Sequence, residues 1–253
     1  MQLNFKEYGQ GEPLLILHGF LGSLDNWHTL SGRFGEHFHV FNLDQRNHGK
    51  SPHFSSHTLL DMVNDLHDFI SSNGLNQVRL IGHSMGGKVV MKFALEHPHL
   101  VKKLVVADIA PRKYKRGHDD VFAAIKAVDL SQIQTRKEVE EAMLPYLPDF
   151  GVRQFVLKNL DRKDGIGYVW KMNMDVLLRD YDEVTSEIQS DIPCLLPTLF
   201  LKGGNSRYVQ SQDEPLILNL FPNAEFQEIP NTGHWLHAEK PDEFFKLSLE
   251  FLS

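Results

Sequence analysis

A doubly wound, mostly parallel α/β sheet carrying an inserted helical segment is the fold class predicted for this 253-residue chain. Three observations predict it. Short apolar runs of strand length alternate with amphipathic stretches at helical spacing. That alternation lapses once, between residues 111 and 197, where helical patterns follow one another with no buried parallel strand among them. A serine also stands in Gly82-His83-Ser84-Met85-Gly86, at the junction of a predicted strand and a predicted helix.

The predicted strands cover residues 2–8, 14–18, 39–43, 79–82, 103–108, 198–202 and 224–229, each an apolar or β-branched run bounded by turn-forming residues,. The predicted helices cover 24–34, 58–73, 85–97, 212–221 and 242–251, and several have recognisable ends. Ser23 is placed to cap the first, Asn73-Gly74 closes the second, Pro98 follows the third, and Pro241 opens the last,. Helical patterns at 121–130, 135–147, 151–160 and 175–184 fill the interruption, the second opened by the capping box Thr135-x-x-Glu138,. The expected organisation is a core of residues 1–111 and 191–253, with 112–190 as an all-helical lid over the carboxyl end of the sheet. Phe122, Phe150, Phe155, Tyr168, Trp170, Met172 and Met174 give that lid a core of its own and walls for an apolar pocket,.

Bulk properties narrow the function classes. A formal charge of −7 argues against a sequence-independent nucleic-acid binder,. No apolar run approaches the roughly 20 residues of a membrane span. Residues 1–7 lack a basic segment followed by an apolar one, so no secretory signal is expected,. The lone Cys194 excludes an internal disulfide and fits a reducing cytoplasm, the expected location,. Neither a cofactor nor a metal is expected. Gly49-Lys50-Ser51 resembles the end of a phosphate-binding loop, but Asp44 occupies the position of its first glycine,. Gly9-x-Gly11 lacks a third glycine, no His-Glu-x-x-His occurs, and His37-x-His39 lies on a predicted strand edge,.

The chemistry converges on Ser84. A strand–Gly-x-Ser-x-Gly–helix order holds a hydroxyl clear of the fold at the positive end of a helix dipole. Three fixed positions recur by chance often enough that the rest of the chain must decide. A serine hydroxyl is a weak nucleophile at neutral pH and needs a base within reach. Of 14 histidines, His234 is best placed, in the loop after the last predicted strand and before the final helix. His83 is expected to turn away from the serine into packing; His237 is expected to support the His234 loop, and His18 to prop the loop after the second strand. An acid must then fix the tautomer of His234. The loop after the next-to-last strand, Gly203-Gly204-Asn205-Ser206-Arg207, offers no carboxylate. Asp108, at the carboxyl end of the strand beside the serine, is therefore the candidate acid, with Asp180 and Asp191 as alternatives. Asp213 comes too late. Negative charge on a substrate oxygen needs backbone donors, and the candidates are the N–H groups of Met85 and of Phe20 in His18-Gly19-Phe20-Leu21-Gly22,. Asp44 and Arg46 are expected to brace one another. Arg112-Lys113-Tyr114-Lys115-Arg116 is a strongly basic stretch, ordinarily a solvated face, which in a functional setting would attract an anionic substrate tail such as the phosphates of coenzyme A,.

Taken in order, HGFLGS, DQRNHGKS, GHSMGG, DIAP, GGNS and GHWLHAEKP resemble the blocks of the α/β-hydrolase superfamily over almost the whole chain. The resemblance is to its small bacterial lid-bearing carboxylesterases, and DIAP with an acid-free GGNS is similar to the branch whose acid follows the sixth strand. It implies an α/β-hydrolase fold, a triad of Ser84, Asp108 and His234, and oxyanion donors at Phe20 and Met85. The implied activity is hydrolysis of a small-molecule carboxylic ester, with acyl thioesters such as acyl-coenzyme A as a further class, through an acyl-enzyme. The same triad supports C–C bond hydrolysis and peracid formation, and a ligand-binding protein with a vestigial triad is a reading from another class.

Overall fold

The computed structural model describes residues 2–253. Nine strands follow in chain order: β1 (Phe5–Tyr8), β2 (Pro13–Leu17), β3 (His39–Leu43), β4 (Val78–His83), β5 (Val101–Ala107), β6 (Leu160–Lys163), β7 (Gly167–Trp170), β8 (Thr198–Gly203) and β9 (Ala224–Ile229). Seven of them form one sheet in the order β1-β3-β2-β4-β5-β8-β9. β1 runs antiparallel to β3, and every other pairing in that sheet is parallel.

Side chains of a strand alternate between faces, and here the two faces feed separate cores. Leu15, Leu17, Leu80, Leu104 and Val106 pack on one side, with α2 (Leu59–Ser72), α3 (Met85–Glu96) and α9 (Glu214–Leu220). Leu14, Ile16, Ile81, Val105 and Ala107 pack on the other, with α1 (His28–Phe34) and α11 (Pro241–Leu252). Strands buried on both faces read as near-continuous apolar runs, as β2 and the Leu104–Ala107 stretch of β5 do,. The predicted helix over 24–34 is divided: a 3₁₀ turn over Leu24–Trp27 leads into α1, the break falling at Trp27 with φ −107° and ψ 0°.

Strand order reverses at β2, because β3 lies to one side of it and β4 to the other. Loops leaving β2 and β4 therefore part in opposite directions and open a crevice at the carboxyl edge, where ligands of such sheets bind. The two loops carry His18-Gly19-Phe20 and Ser84.

Between β5 and β8 lie α4 (Asp119–Lys126), α5 (Arg136–Met143), α6 (Phe150–Leu157), the β6–β7 pair, α7 (Met174–Arg179) and α8 (Tyr181–Val184). This segment is not all-helical, contrary to the sequence reading. Leu160–Lys163 and Gly167–Trp170 pair as an antiparallel hairpin. Gly165 and Gly167, at φ +76° and +95°, supply the backbone that the turn requires, and Tyr168, Val169 and Trp170 favour extended structure,. The predicted helix over 175–184 is also broken, at Asp180. Its carboxylate accepts the His57 N–H (2.9 Å), and Arg179 beside it reaches the Ser55 carbonyl (2.5 Å). These tertiary bonds outweigh helical continuity. Phe122 and Met172 are buried, whereas Phe150 is 65% exposed and contributes nothing to a core.

Candidate active site

Ser84 joins β4 to α3 with φ +52° and ψ −116°, a backbone state costing a side-chain-bearing residue about 1–3 kcal/mol,. Its surroundings enforce that state. The Ser84 N–H donates to the Ala107 carbonyl (3.0 Å), and its own carbonyl accepts the Lys88 N–H (3.0 Å). A methyl on Gly82 would lie 2.3 Å from the Gly86 carbonyl oxygen, and one on Gly86 would lie 2.4 Å from that of Leu17. Strand, turn and helix thus touch backbone to backbone, and only glycine fits at both crossings.

His234 lies in the loop between β9 and α10 (Leu236–Glu239). Its Nε2 stands 3.0 Å from Ser84 Oγ, and its Nδ1 stands 2.7 Å from Asp108 Oδ2. Asp108 follows β5 in the left-handed region at φ +51° and is fully buried. Three distant segments therefore form one hydrogen-bonded row. An Nδ1–H donated to the carboxylate leaves Nε2 with a free lone pair to accept the Ser84 proton.

Several groups hold this row, and most were not legible beforehand. The Gly203 N–H donates to Asp108 Oδ1 (3.1 Å), and the Ser206 hydroxyl donates to Asp108 Oδ2 (2.5 Å). Ser206 belongs to the loop in which the sequence shows no carboxylate. β8 lies beside β5, so that loop offers a hydroxyl to the neighbouring strand's acid instead. The Tyr208 ring stacks on His234 with centroids 3.8 Å apart and planes at 17°. Tyr114 Oη donates to the Tyr208 carbonyl (2.5 Å) and accepts the Ala110 N–H (2.8 Å), tying the loops after β5 and β8 together. A polar loop at the carboxyl edge was the available signal for Ser206; nothing local announced Tyr208 or Tyr114. Ser206→Ala removes a hydrogen bond to a charged group, and such bonds contribute roughly 1.5–3 kcal/mol. It is expected to lower kcat on a p-nitrophenyl ester about tenfold or more.

His83 is buried beneath the site and donates from Nε2 to the His234 carbonyl (2.8 Å), so it holds the His234 loop as well as filling space. His237 stacks on Trp27, with centroids 4.3 Å apart. His18 donates from Nδ1 to the Gly19 carbonyl (2.8 Å) and accepts the Gln45 N–H at Nε2 (3.0 Å). His48 donates from Nδ1 to the Arg46 carbonyl (3.0 Å) and accepts the Leu21 N–H at Nε2 (3.1 Å). These bonds set the loop after β2, in which the Phe20 N–H finds no acceptor among the described residues. Met85 heads α3, and the leading N–H groups of a helix have no acceptor within it,.

Asp44 and Arg46 do not brace one another. Asp44 accepts the backbone N–H groups of Leu24 (2.8 Å) and Lys50 (2.9 Å). Arg46 forms a bidentate pair with the buried Asp65 (2.5 and 2.7 Å). A carboxylate at a loop mouth satisfies orphan N–H groups, while the planar guanidinium finds a matching fork on α2. The alternative acids lie elsewhere: Asp180 pairs with Arg179, Asp191 is exposed, and Asp213 pairs with Arg112 (2.9 Å). Among the described residues no group of three or more His, Cys, Asp or Glu side chains is placed to hold a metal ion.

Burial holds six histidines neutral: His18, His48, His57, His83, His118 and His237. Desolvation lowers His57 and His237 to about 3 and His118 to about 4, and it also lowers His18, His48 and His83. An unfolded histidine takes a proton near 6.5. Below that pH the unfolded chain binds more protons than the folded one, so stability falls as pH falls from 6.5 toward 3–4. At pH 5 each of His57, His118 and His237 is expected to remove about 2 kcal/mol, against a total stability of roughly 5–15 kcal/mol. Acid titration followed by far-UV circular dichroism should show loss of structure near pH 5; a native signal persisting to pH 3.5 would contradict neutral burial.

Two cavities meet at Ser84. One, of about 300 Å³, is bounded by His234, Trp235, Phe155 and Lys158; the other, of about 760 Å³, is bounded by Met85, Ile109, Tyr181 and Val184. Phe20 and His118 line both.

Residues 12–150 match the family described as alpha/beta hydrolase fold. Over 243 residues the chain is 38% identical to esterase YbfF of Escherichia coli (strain K12), covering 95% of this chain and 93% of that protein. It is 38% identical over 248 residues to the sn-1-specific diacylglycerol lipase ABHD11 of Mus musculus, covering 95% of this chain and 80% of that one. A solved structure titled marine microorganism esterase superposes with a TM-score of 0.97 at 45% identity, covering 99% of each chain. With a parallel sheet wound on both faces, a serine held at the β4–α3 turn and these similarities, the chain belongs to the α/β-hydrolase family.

Proposed function

We propose that this protein is a serine hydrolase that cleaves small-molecule carboxylic esters through an acyl-enzyme, with Ser84 as nucleophile, His234 as general base and acid, and Asp108 as the group orienting His234. The observation that carries the reading is the row Asp108 Oδ2–His234 Nδ1 (2.7 Å) and His234 Nε2–Ser84 Oγ (3.0 Å). Relatives named esterase and diacylglycerol lipase support the same bond type. Ser84 Oγ attacks the ester carbonyl as its proton passes to His234 Nε2. Charge gathering on the carbonyl oxygen meets the N–H groups of Phe20 and Met85, each such donor contributing about 3–4 kcal/mol in hydrolases of this chemistry. His234 then returns the proton to the leaving alcohol, and a water repeats the sequence to free the acid. Acyl thioesters would react by the same steps.

Residues 112–190 act in this reading as a lid on a core of 1–111 and 191–253, since Phe155, His118 and Tyr181 wall the cavities over Ser84. The single, buried Cys194 fits a reducing cytoplasm,. No helix among the described residues is long and apolar enough to cross a membrane. A fluorophosphonate probe should label the protein at Ser84, identified by peptide mass, and Ser84→Ala should abolish labelling. Modification of another serine, or labelling that survives the substitution, would reject the assignment.

A further inference from the structure

The larger cavity has a charge distribution at odds with the chain as a whole. The protein carries a formal charge of −7, yet Lys88, Arg112, Lys113, Lys115, Arg116 and Arg207 all line this one space, and no Asp or Glu does. Three of the six are already engaged. Arg112 pairs with Asp213 (2.9 Å), and Arg116 pairs with Asp119 (3.2 Å) and Asp182 (2.9 Å). Lys88 is buried and donates to the carbonyls of Arg112 (2.7 Å), Pro111 (3.5 Å) and Ser186. Lys113, Lys115 and Arg207 are exposed at the mouth, with no carboxylate partner among the described residues. Met85, next to Ser84, and Phe20, which like Ser84 lines both cavities, are apolar, as are Ile109 and Val184. The cavity therefore suits a chain that is apolar beside the reacting carbonyl and anionic at its far end.

The cavity's position also says which side of the ester it takes. His234 lines the smaller cavity and not the larger. The leaving oxygen must lie beside His234 Nε2 to receive its proton, so the alcohol projects into the smaller space. The acyl chain is left with the larger one.

We propose that the larger cavity selects acyl groups ending in an anion, such as the half-esters of dicarboxylic acids, with Lys113, Lys115 and Arg207 receiving the terminal charge. This rests on the ester-hydrolase reading above. Exposed ion pairs each contribute modestly, so the three together should favour an acidic acyl chain about tenfold over its uncharged counterpart at low salt. Screening in about 1 M salt, where the Debye length is near 3 Å, should erase that preference.

The test compares kcat/KM for mono-p-nitrophenyl adipate with that for its methyl-capped diester, and the ratio cancels any difference in active enzyme. A ratio near ten that falls toward one in 1 M sodium chloride, and also in Lys113→Ala/Lys115→Ala/Arg207→Ala, supports the proposal. Retention of the ratio in Lys113→Arg/Lys115→Arg/Arg207→Lys would tie it to charge. A ratio near one in the native protein, with the diester hydrolysed, refutes it and leaves ester hydrolysis standing. No turnover of either compound would refute ester hydrolysis, and this inference with it. A second pair places the charge on the alcohol: hexanoyl esters of 4-hydroxybenzoate and of its methyl ester. If the triple substitution lowers that ratio instead, the acyl-side assignment is overturned.

Discussion

Ser84→Ala is expected to lower kcat on p-nitrophenyl esters about 10⁶-fold, the loss seen when a nucleophile of this kind is removed from its triad. The carbonyl would still meet the Phe20 and Met85 N–H groups, so activity above the uncatalysed rate should persist at a low level. The stability consequence runs the other way. Ser84 is held at φ +52°, where glycine pays no steric penalty. Ser84→Gly should therefore be equally inactive yet more stable by about 1 kcal/mol, a rise in Tm of about 2–4 °C for a chain of this size. A drop in Tm for Ser84→Gly, or a kcat loss below about a hundredfold for Ser84→Ala, would mean that the turn does not serve the hydroxyl.

Asp108→Asn is expected to lower kcat about 10⁴-fold without unfolding the chain. Asparagine tolerates the left-handed backbone that Asp108 adopts at φ +51°,, and its amide oxygen can still accept the Gly203 N–H. Its amide N–H₂ would then face two donors, the Ser206 hydroxyl and His234 Nδ1–H. The hydroxyl can rotate away; the imidazole can escape only by moving its proton to Nε2, which removes the lone pair that Ser84 needs. KM should change little, because no binding contact is lost. A loss of similar size from Asp180→Asn or Asp191→Asn, with Asp108→Asn near native activity, would move the acid elsewhere. The Asp180 carboxylate is committed to Arg179 and the His57 N–H.

The sheet was legible because its central strands carry short, mostly apolar runs such as Leu14–Leu17 and Leu104–Ala107, and a hydrophobic run carries that information locally. Ser84 was legible for a related reason: a strained strand-to-helix turn admits few sequences, so the constraint is written in five consecutive residues. His234 and Asp108 were legible through chain order and their places at strand ends. The β6–β7 hairpin was missed because its strands are four residues each, too short to show a period of their own, and pairing with one another is what makes them extended. The break at Asp180 was missed because its cause, the His57 N–H, lies far away in sequence.

Sequence alone determined the winding of the sheet and the residue types at its carboxyl edge, since burial pattern and turn sterics act over a few residues. Only the tertiary structure decided that Ser206 serves the acid of a neighbouring strand, that Tyr208 lies flat on His234, and that six cations of a net-negative chain surround one cavity. Those facts depend on which segments become neighbours, and that is set by the global packing of two cores on one sheet rather than by any local preference of the chain.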